Sequence, residues 1–498
     1  MLQSLSSRVE PDFGWHLQFG KDAWSGNFQF LDSYTWPHLD MPWTNHEWGG
    51  DLIFWPLYNQ FGYFSLVLLI SLALLIAFLI IQKTYSGKID FISAIIVFFA
   101  FYILNFLLCM RLAMLAPLFL AILLYTLEKI PWKKTFLWWP PLLWLWSALH
   151  GSWILAFIVI NIYIVGNLLA TIINKYWPKY SGMETDWTKK NYRQTIIAQI
   201  ISFLVIAINP YGLKIYGEII SYFTSGYYKQ FIAEWIPSYA YPVYAWPLIL
   251  ATVSAVFVVM GYKNKKISLP RLLLFFALFY AGFQYKRHNL FMVMASLPIL
   301  TIVFRTVWRE LKIPKKISVF LLPLALAGII FFSAKINFSK NIWTERKIIT
   351  SAPFTLPYDA VEFLHKKIGD KKTCIFNEFR WGVYLNWMMP NSLVFFDGRG
   401  AATWMYDEQQ TTLEKYREIK FEAGGLKELN SSPAQYVLLE KYNYFNPRPD
   451  FINKIMFNEE DFKKITSDDS PQLEKMLDKS RDWKLIYEDR LSKIWERK

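Results

Sequence analysis

Between residues 52 and 334 apolar residues run in long blocks separated by short polar turns, whereas residues 1–51 and 335–498 mix apolar and polar positions as water-exposed chain does. The blocks at 57–81, 90–108, 112–127, 136–149, 152–173, 195–208, 245–261, 271–284, 289–304 and 317–334 are predicted membrane spans. A straight helix needs roughly 20 apolar residues to cross the hydrocarbon core. Short blocks such as 136–149 and 271–284 are therefore expected to be tilted, re-entrant or shielded by neighbours, for about nine or ten passages in all. Beyond them, β-like runs (TCIFNEF, SLVFFDG, QYVLLEKY, WKLIYED, LSKIWER) alternate with helical stretches at 358–368, 405–420 and 471–480. The expected architecture is mainly α. It has an acidic, aromatic outer-face loop at 1–51, a multi-span helical membrane domain at 52–334, and an α/β or α+β domain at 335–498.

Hydrophobic residues make up 54% of the 498 and aromatic residues 19%. This balance excludes an all-soluble enzyme and a disordered scaffold. Residues 1–51 hold 2 basic and 7 acidic side chains, residues 52–334 hold 24 and 7, and residues 335–498 hold 27 and 25. The net charge of +14 thus belongs to the loops between spans, where topology explains it. No basic face or motif for nucleic acid accompanies it, and nucleic acid is not expected as a partner. The loops holding Lys83 and Lys88, Lys129 to Lys134, Lys175 to Arg193, Lys263 to Arg271 and Arg305 to Lys316 are predicted to be cytoplasmic. The first segment then faces outward, with the turns at Arg111, His150-Gly151 and Lys286-Arg287-His288, the 209–244 loop and the extracytoplasmic C-terminal domain. The N-terminal stretch lacks an apolar leader, so either the first span translocates an acidic tail or a helix lies upstream of Met1. Two cysteines, Cys109 and Cys374, support neither a disulfide framework nor a cysteine-based zinc site.

The first 51 residues hold three of the six histidines, among Asp12, His16, Asp22, Asp32, His38, Asp40, His46, Glu47 and Asp51, interleaved with tryptophans. Interfacial tryptophans are anchors, and Asp in LDSYT or LDMPW suits a turn. In PDFGWH and NHEW, however, carboxylate and imidazole sit together beside aromatic rings, a setting for proton transfer. Asp12, His16, His46 and Glu47 are the candidates there. Such a cluster can also hold Mg²⁺ or Mn²⁺, although no HxH, HExxH or DxD spacing occurs, so a divalent cation is an open alternative and none is required.

Outward cations are the second signal. Arg111, Arg287 and the neighbouring Lys286 and His288 suit a lipid-linked phosphate, or simply reach lipid headgroups. His150 lies in a tight turn between two spans and suits either packing or substrate binding. In the 209–244 loop, Glu234 and Trp235 could bind a sugar through hydroxyl hydrogen bonds and ring stacking. In FFDGRG, Asp397 and Arg399 are expected to form an ion pair at a strand end.

The strings PDFGWHLQFGKDAWSG, DSYTW, PWTNHEWGGDLIF, RLAMLAP, LHGSW, NPYGLKIY, AEWIPS, RHNLFMVMASLP, FNEFRWGVYLNW and FFDGR occur in an order that resembles a bacterial family of GT-C-type membrane glycosyltransferase-like proteins. The resemblance covers most of the chain. It implies a polytopic enzyme of the cell membrane using a polyprenyl-phosphate-linked sugar donor, with an essential carboxylate in the first outer loop. That position is Asp12 here. The family's pattern has a helix before it, so the resemblance implies one upstream of Met1. Glu47, Arg111, His150 and Arg287 carry over as candidates. The expected reaction is inverting transfer of a sugar to a glycan, lipid or protein acceptor at the outer face, with Asp12 as base, Glu47 supporting it, and Arg111 and Arg287 stabilising the departing phosphate. A non-enzymatic lipid or glycan transporter, or an envelope assembly scaffold, is the alternative.

Overall fold

The structure, a computed structural model, describes residues 12–129, 135–184, 187–224, 235, 237–240, 242–310, 356–400, 404–441 and 472–498. The helices in chain order are α1 (Phe13–Trp24), α2 (Trp48–Phe61), α3 (Tyr63–Ser86), α4 (Phe91–Ile103), α5 (Ala116–Lys129), α6 (Thr135–Leu149), α7 (Ile154–Tyr176), α8 (Lys189–Ile206), α9 (Lys214–Thr224), α10 (Ala245–Lys263), α11 (Leu269–Gln284) and α12 (Asn289–Glu310). The remainder runs α13 (Tyr358–Ile368), β1 (Thr373–Asn377), α14 (Gly382–Met388), β2 (Ser392–Val394), α15 (Thr412–Phe421), α16 (Gly425–Ser431), β3 (Tyr436–Glu440), α17 (Gln472–Lys479), β4 (Trp483–Glu488) and β5 (Ser492–Arg497). The chain resolves into two compact units. A helical unit gathers described residues between Leu66 and Leu213 and between Gln230 and Phe338, and a mixed unit takes those in Ser7–Ser65, Lys214–Lys229 and Ser339–Lys498.

In the helical unit, Tyr63–Ser86, Leu112–Lys129, Gly151–Tyr176, Ala245–Lys263 and Lys286–Glu310 are long and apolar enough to cross a membrane, and Phe91–Ile103 and Leu269–Gln284 are shorter apolar helices. The predicted spans from 112–127 to 289–304 fall on helices, 57–81 is divided at Gly62 between α2 and α3, 90–108 is helical only to Ile103, and 317–334 lies outside the described residues. Leu72 and Ile76 on α3, Ile158, Val165 and Leu169 on α7, and Ile249, Val253 and Val256 on α10 are exposed. Apolar side chains turned outward along whole helices need lipid as their solvent, so the chain is a membrane protein.

Inside this unit α6 packs on α8, α7 on α11, and α12 on α4, α10 and α11. Polar groups bridge the helices. Glu128 accepts from Arg271 Nε at 2.9 Å and from Tyr163 Oη at 2.6 Å, and Tyr163 meets the Tyr85 hydroxyl at 3.0 Å. Arg305 Nε reaches Asp90 at 2.8 Å and its Nη1 donates to the Ser86 carbonyl at 2.8 Å. With no water in a bilayer core to compensate them, such groups hold helix neighbours in register by satisfying one another.

The mixed unit is built on a five-stranded sheet of order β2-β1-β3-β5-β4, parallel through β2, β1 and β3 and antiparallel through β3, β5 and β4. Its strands fall on the five β-like runs of the sequence. Ile375, Phe376, Val437 and Leu438 on the central strands are fully buried. Of the expected helical stretches, 358–368 and 471–480 match α13 and α17, but 405–420 becomes helical only from Thr412. The reason is a capping box: Thr411 Oγ1 accepts from Glu414 N at 3.3 Å, and Glu414 accepts from Thr411 N at 2.6 Å. In the FNEFRW string, Glu378 is buried and paired with Lys420 Nζ at 2.7 Å and Tyr416 Oη at 2.8 Å. Burial alone would raise its carboxyl, but the Lys420 charge and these bonds more than offset that and hold it below the usual range.

The first segment belongs to this sheet. Trp36 N donates to the Val394 carbonyl at 3.0 Å and Val394 N donates to the Tyr34 carbonyl at 2.9 Å, so residues 34–36 pair along the edge strand β2 and cover its open side. Trp15, Phe19, Tyr34, Trp43 and Val383 form one buried cluster. Gly14 lets α1 approach α14 closely, since a Cβ there would lie 2.5 Å from the Val383 carbonyl oxygen.

Candidate functional site

Asp12 stands at the N-cap of α1, but its side chain makes no capping hydrogen bond. It lies instead against Gly398, in the turn after β2, where a Cβ would overlap Asp12 Oδ1 and sit 3.1 Å from its Cγ. The glycine is therefore what admits the carboxylate to this turn. The backbone around it is held by an ion triad. Arg399 Nη1 pairs with Asp32 Oδ1 at 2.8 Å, and Arg399 Nη2 and Nε pair with Asp397 at 2.8 and 3.0 Å. All three side chains are buried. Asp397 also accepts from Asn386 Nδ2 at 2.7 Å. The guanidinium faces the rings of Tyr34 and Trp43 at 4.6 Å each and of Trp404 at 5.4 Å. The Asp397–Arg399 pair expected from FFDGRG is present. Asp32, which the LDSYT string suits to a turn, is a further partner of Arg399.

One turn into α1, His16 is buried between two carboxylates. Its Nδ1 lies 2.6 Å from Asp51 Oδ1 and its Nε2 3.3 Å from Glu47 Oε2. The other Asp51 oxygen accepts from Asn45 Nδ2 at 2.7 Å, and Asn45 Oδ1 accepts from Glu47 N at 2.9 Å. Asp51 is fully buried, and that burial pushes its carboxyl well above the usual range. A protonated Asp51, which burial favours, would donate to His16 Nδ1 and leave the Nε2–H tautomer toward Glu47. Asp51, His16 and Glu47 form a line along which a proton can pass. His46 meets the ring of Tyr222 edge to face at 5.5 Å. Asp22 is engaged structurally by Tyr34, Gln18 and Gln29.

Among the described residues no group of three or more His, Cys, Asp or Glu side chains is arranged to hold a metal ion. Both ring nitrogens of His16 and both oxygens of Asp51 are engaged by the side chains just named. A divalent cation does not fit that donor set.

The helical unit holds the remaining candidates. Arg287 lies over the ring of Trp235 at 4.9 Å, and Trp235 meets Tyr285 at 5.2 Å and His288 at 6.3 Å. These residues gather at the turn between α11 and α12, which Asn289 pins by donating to Ser238 Oγ and the Gly282 carbonyl. His150 caps the Gly151–Trp153 turn: its Nδ1 accepts from Ser152 N at 3.0 Å. Arg111 is half-buried at the head of the Leu112–Leu115 turn before α5. Glu234 lies outside the described residues. In the mixed unit the structure brings His16 and Glu47 together, with Asp12 one helical turn before His16 and against Gly398, and His46 against Tyr222. In the helical unit it brings Trp235, Arg287 and His288 together, while His150 and Arg111 occupy separate turns. Sequence reading did not select Asp32, Asn45, Asp51, Glu218 or Tyr222. The signal available for Asp51 was its place four residues beyond Glu47, one helical turn away.

Among solved structures the chain is similar to the oligosaccharyltransferase of Archaeoglobus fulgidus, in one case tethered by a disulfide bond to an acceptor peptide containing the NVT sequon and in another in the apo form. Both superpose with a TM-score of 0.51 at 12% identity over 87% of this chain. The fold is of the GT-C type. The chain spans 65% and 66% of the length of those two structures. No sequence family and no curated relative matches it.

Proposed function

We propose that this GT-C fold transfers a sugar from a polyprenyl-phosphate-linked donor to an acceptor at the outer face of the membrane. The observation that carries this reading is the Asp12 carboxylate, seated on the Gly398 turn one helical turn before His16, which lies between Asp51 and Glu47. Transfer breaks the bond from the anomeric carbon to the phosphate oxygen and forms one to the acceptor oxygen or nitrogen. The acceptor's proton passes to Asp12, and polyprenyl phosphate leaves with the bonding electrons. Inversion at the anomeric carbon follows from a single displacement. Glu47, held by Asn45 and His16, supports the base or binds acceptor, and within the helical unit Arg287 over Trp235 suits a lipid-linked phosphate. The similar archaeal structure carries a peptide acceptor, which favours a protein or peptide among the acceptor classes. A multi-pass protein with the mixed unit outside the cytoplasm fits the charge of its loops.

The test is turnover of a mixed pool of polyprenyl-phosphate sugars by the wild type and Asp12→Asn, following released polyprenyl phosphate by mass spectrometry. Release by the wild type alone is expected. Equal release by both, or none despite lipid binding, would reject the reading in favour of transport or scaffolding.

A further inference from the structure

Glu218 lies on the inner face of its helix. In α9, Lys214, Gly217 and Ile220 are exposed, while Ile215 and Ile219 are buried and Glu218 and Tyr222 share their side at spacings of three and four residues. Glu218 Oε1 is sealed from solvent and receives no hydrogen bond among the described residues. One turn on, Tyr222 Oη donates to the backbone carbonyl of Arg399 at 3.1 Å, and the Glu218 carboxyl, one helical turn before it on the same face, is near enough to interact with that hydroxyl. A phenol has a single proton to give. While that proton rests on the Arg399 carbonyl, a Glu218–Tyr222 bond needs its hydrogen from the carboxyl group. Once Glu218 ionises, it competes with the Arg399 carbonyl for the tyrosine's proton. Arg399 follows Gly398, on which Asp12 rests.

We propose that Glu218 is a positioning residue which, through the Tyr222 hydroxyl, couples its own protonation to the Gly398–Arg399 turn that holds Asp12. The consequence for turnover rests on the glycosyl-transfer reading; the coupling itself does not. Burial raises the Glu218 carboxyl to about 7, so the change falls in the neutral range. Among the described residues, the groups that face it include Tyr222 on its own helix and, across that ring, His46 and the Arg399 backbone. The Arg399 guanidinium is committed to Asp32 and Asp397. Below this range Tyr222 secures the turn. Above it, the tyrosine's proton is drawn toward Glu218 and the turn loosens.

Full-length protein in nanodiscs would be followed by infrared difference spectroscopy of carboxyl groups and by hydrogen exchange of the Asp397–Gly400 segment, both against pH and corrected for intrinsic exchange. A carboxyl titrating in the neutral range and absent from Glu218→Gln is expected. Protection of the segment should fall about five- to tenfold as the wild type passes through that range, the worth of one hydrogen bond. It should stay high in Glu218→Gln, which mimics the protonated acid, and be low at every pH in Tyr222→Phe. The basic limb of the kcat profile should disappear in Glu218→Gln with KM unchanged. Identical exchange profiles in the wild type and Glu218→Gln would overturn the proposal. Intact exchange coupling without turnover by any variant would reject glycosyl transfer and support the coupling.

Discussion

Asp12, at the head of α1, lies against Gly398 so closely that a side chain at position 398 would take the place of the Asp12 carboxylate. The two lie 386 positions apart in the sequence and meet within one compact unit. Gly398→Ala should therefore displace the carboxylate by about 1 Å and lower turnover about a hundredfold, the usual consequence of such a misplacement. Thermal unfolding of the variant should stay within a few degrees of the wild type, because the displaced group sits at the rim of the fold. A parallel loss of stability and activity would assign the contact to folding alone.

The Asp32–Arg399–Asp397 triad joins the first segment to the C-terminal domain beneath that contact. Removing the guanidinium leaves two buried carboxylates facing each other. Arg399→Met should cost about 3–5 kcal/mol, the range for breaking a buried ion pair from one side. Asp32→Asn should cost less, since Arg399 keeps its bidentate hold on Asp397. Arg399→Lys should fall between them because a point charge does not reproduce the planar fork. Denaturant titration of the three variants gives the order, and an equal cost for all would show that the triad is not the link.

Much of this was legible in the sequence because the signals are periodic or chemical and local. The spans follow from apolar blocks, the strands from short alternating runs, and the Asp397–Arg399 pair from neighbours two residues apart. Asp32 was read as a turn residue, and it does accept from Tyr34 N and Thr35 N at 3.3 and 3.1 Å. Its bond to Arg399 joins residues 367 positions apart and leaves no local trace. Glu218 had a signal that went unread: it shares a helix face with Ile215, Ile219 and Tyr222, where a solvated glutamate does not belong. The start of α15 was misjudged because the cap at Thr411 outweighs the helical pattern of the residues before it.

In the helical unit, Arg287 and Trp235 make a cation-over-ring contact at 4.9 Å beside His288. If this turn receives the donor's phosphate, Arg287→Gln should weaken binding of polyprenyl phosphate roughly tenfold, the scale of one charge-assisted hydrogen bond. Binding of neutral polyprenol should not change. Trp235→Ala should weaken both, by removing the ring that orients the guanidinium and part of the apolar wall. Comparing the two lipids by fluorescence titration separates these outcomes, and an equal effect of Arg287→Gln on both would exclude phosphate as the ligand of this turn.

Asp51 supplies a pH test of the line it forms with His16 and Glu47. Its folded-state carboxyl is raised above the unfolded value by burial. The stability it contributes is therefore fully present below the unfolded value, near the ordinary 3.8 of an aspartate, and is lost as pH rises through the folded value. Asn at this position reproduces the protonated acid: its carbonyl accepts from Asn45 and its amide donates to His16 Nδ1. Asp51→Asn should thus match the wild type in acid and exceed it at alkaline pH, flattening this part of the stability profile. Asp51→Ala leaves Asn45 and His16 unpaired in a buried site and should cost about 2–4 kcal/mol at every pH. Thermal unfolding across the pH range decides the matter. A wild type whose stability climbs through that range, with Asp51→Asn below it, would mean that Asp51 is ionised against a protonated His16 and that the proton resides on the imidazole.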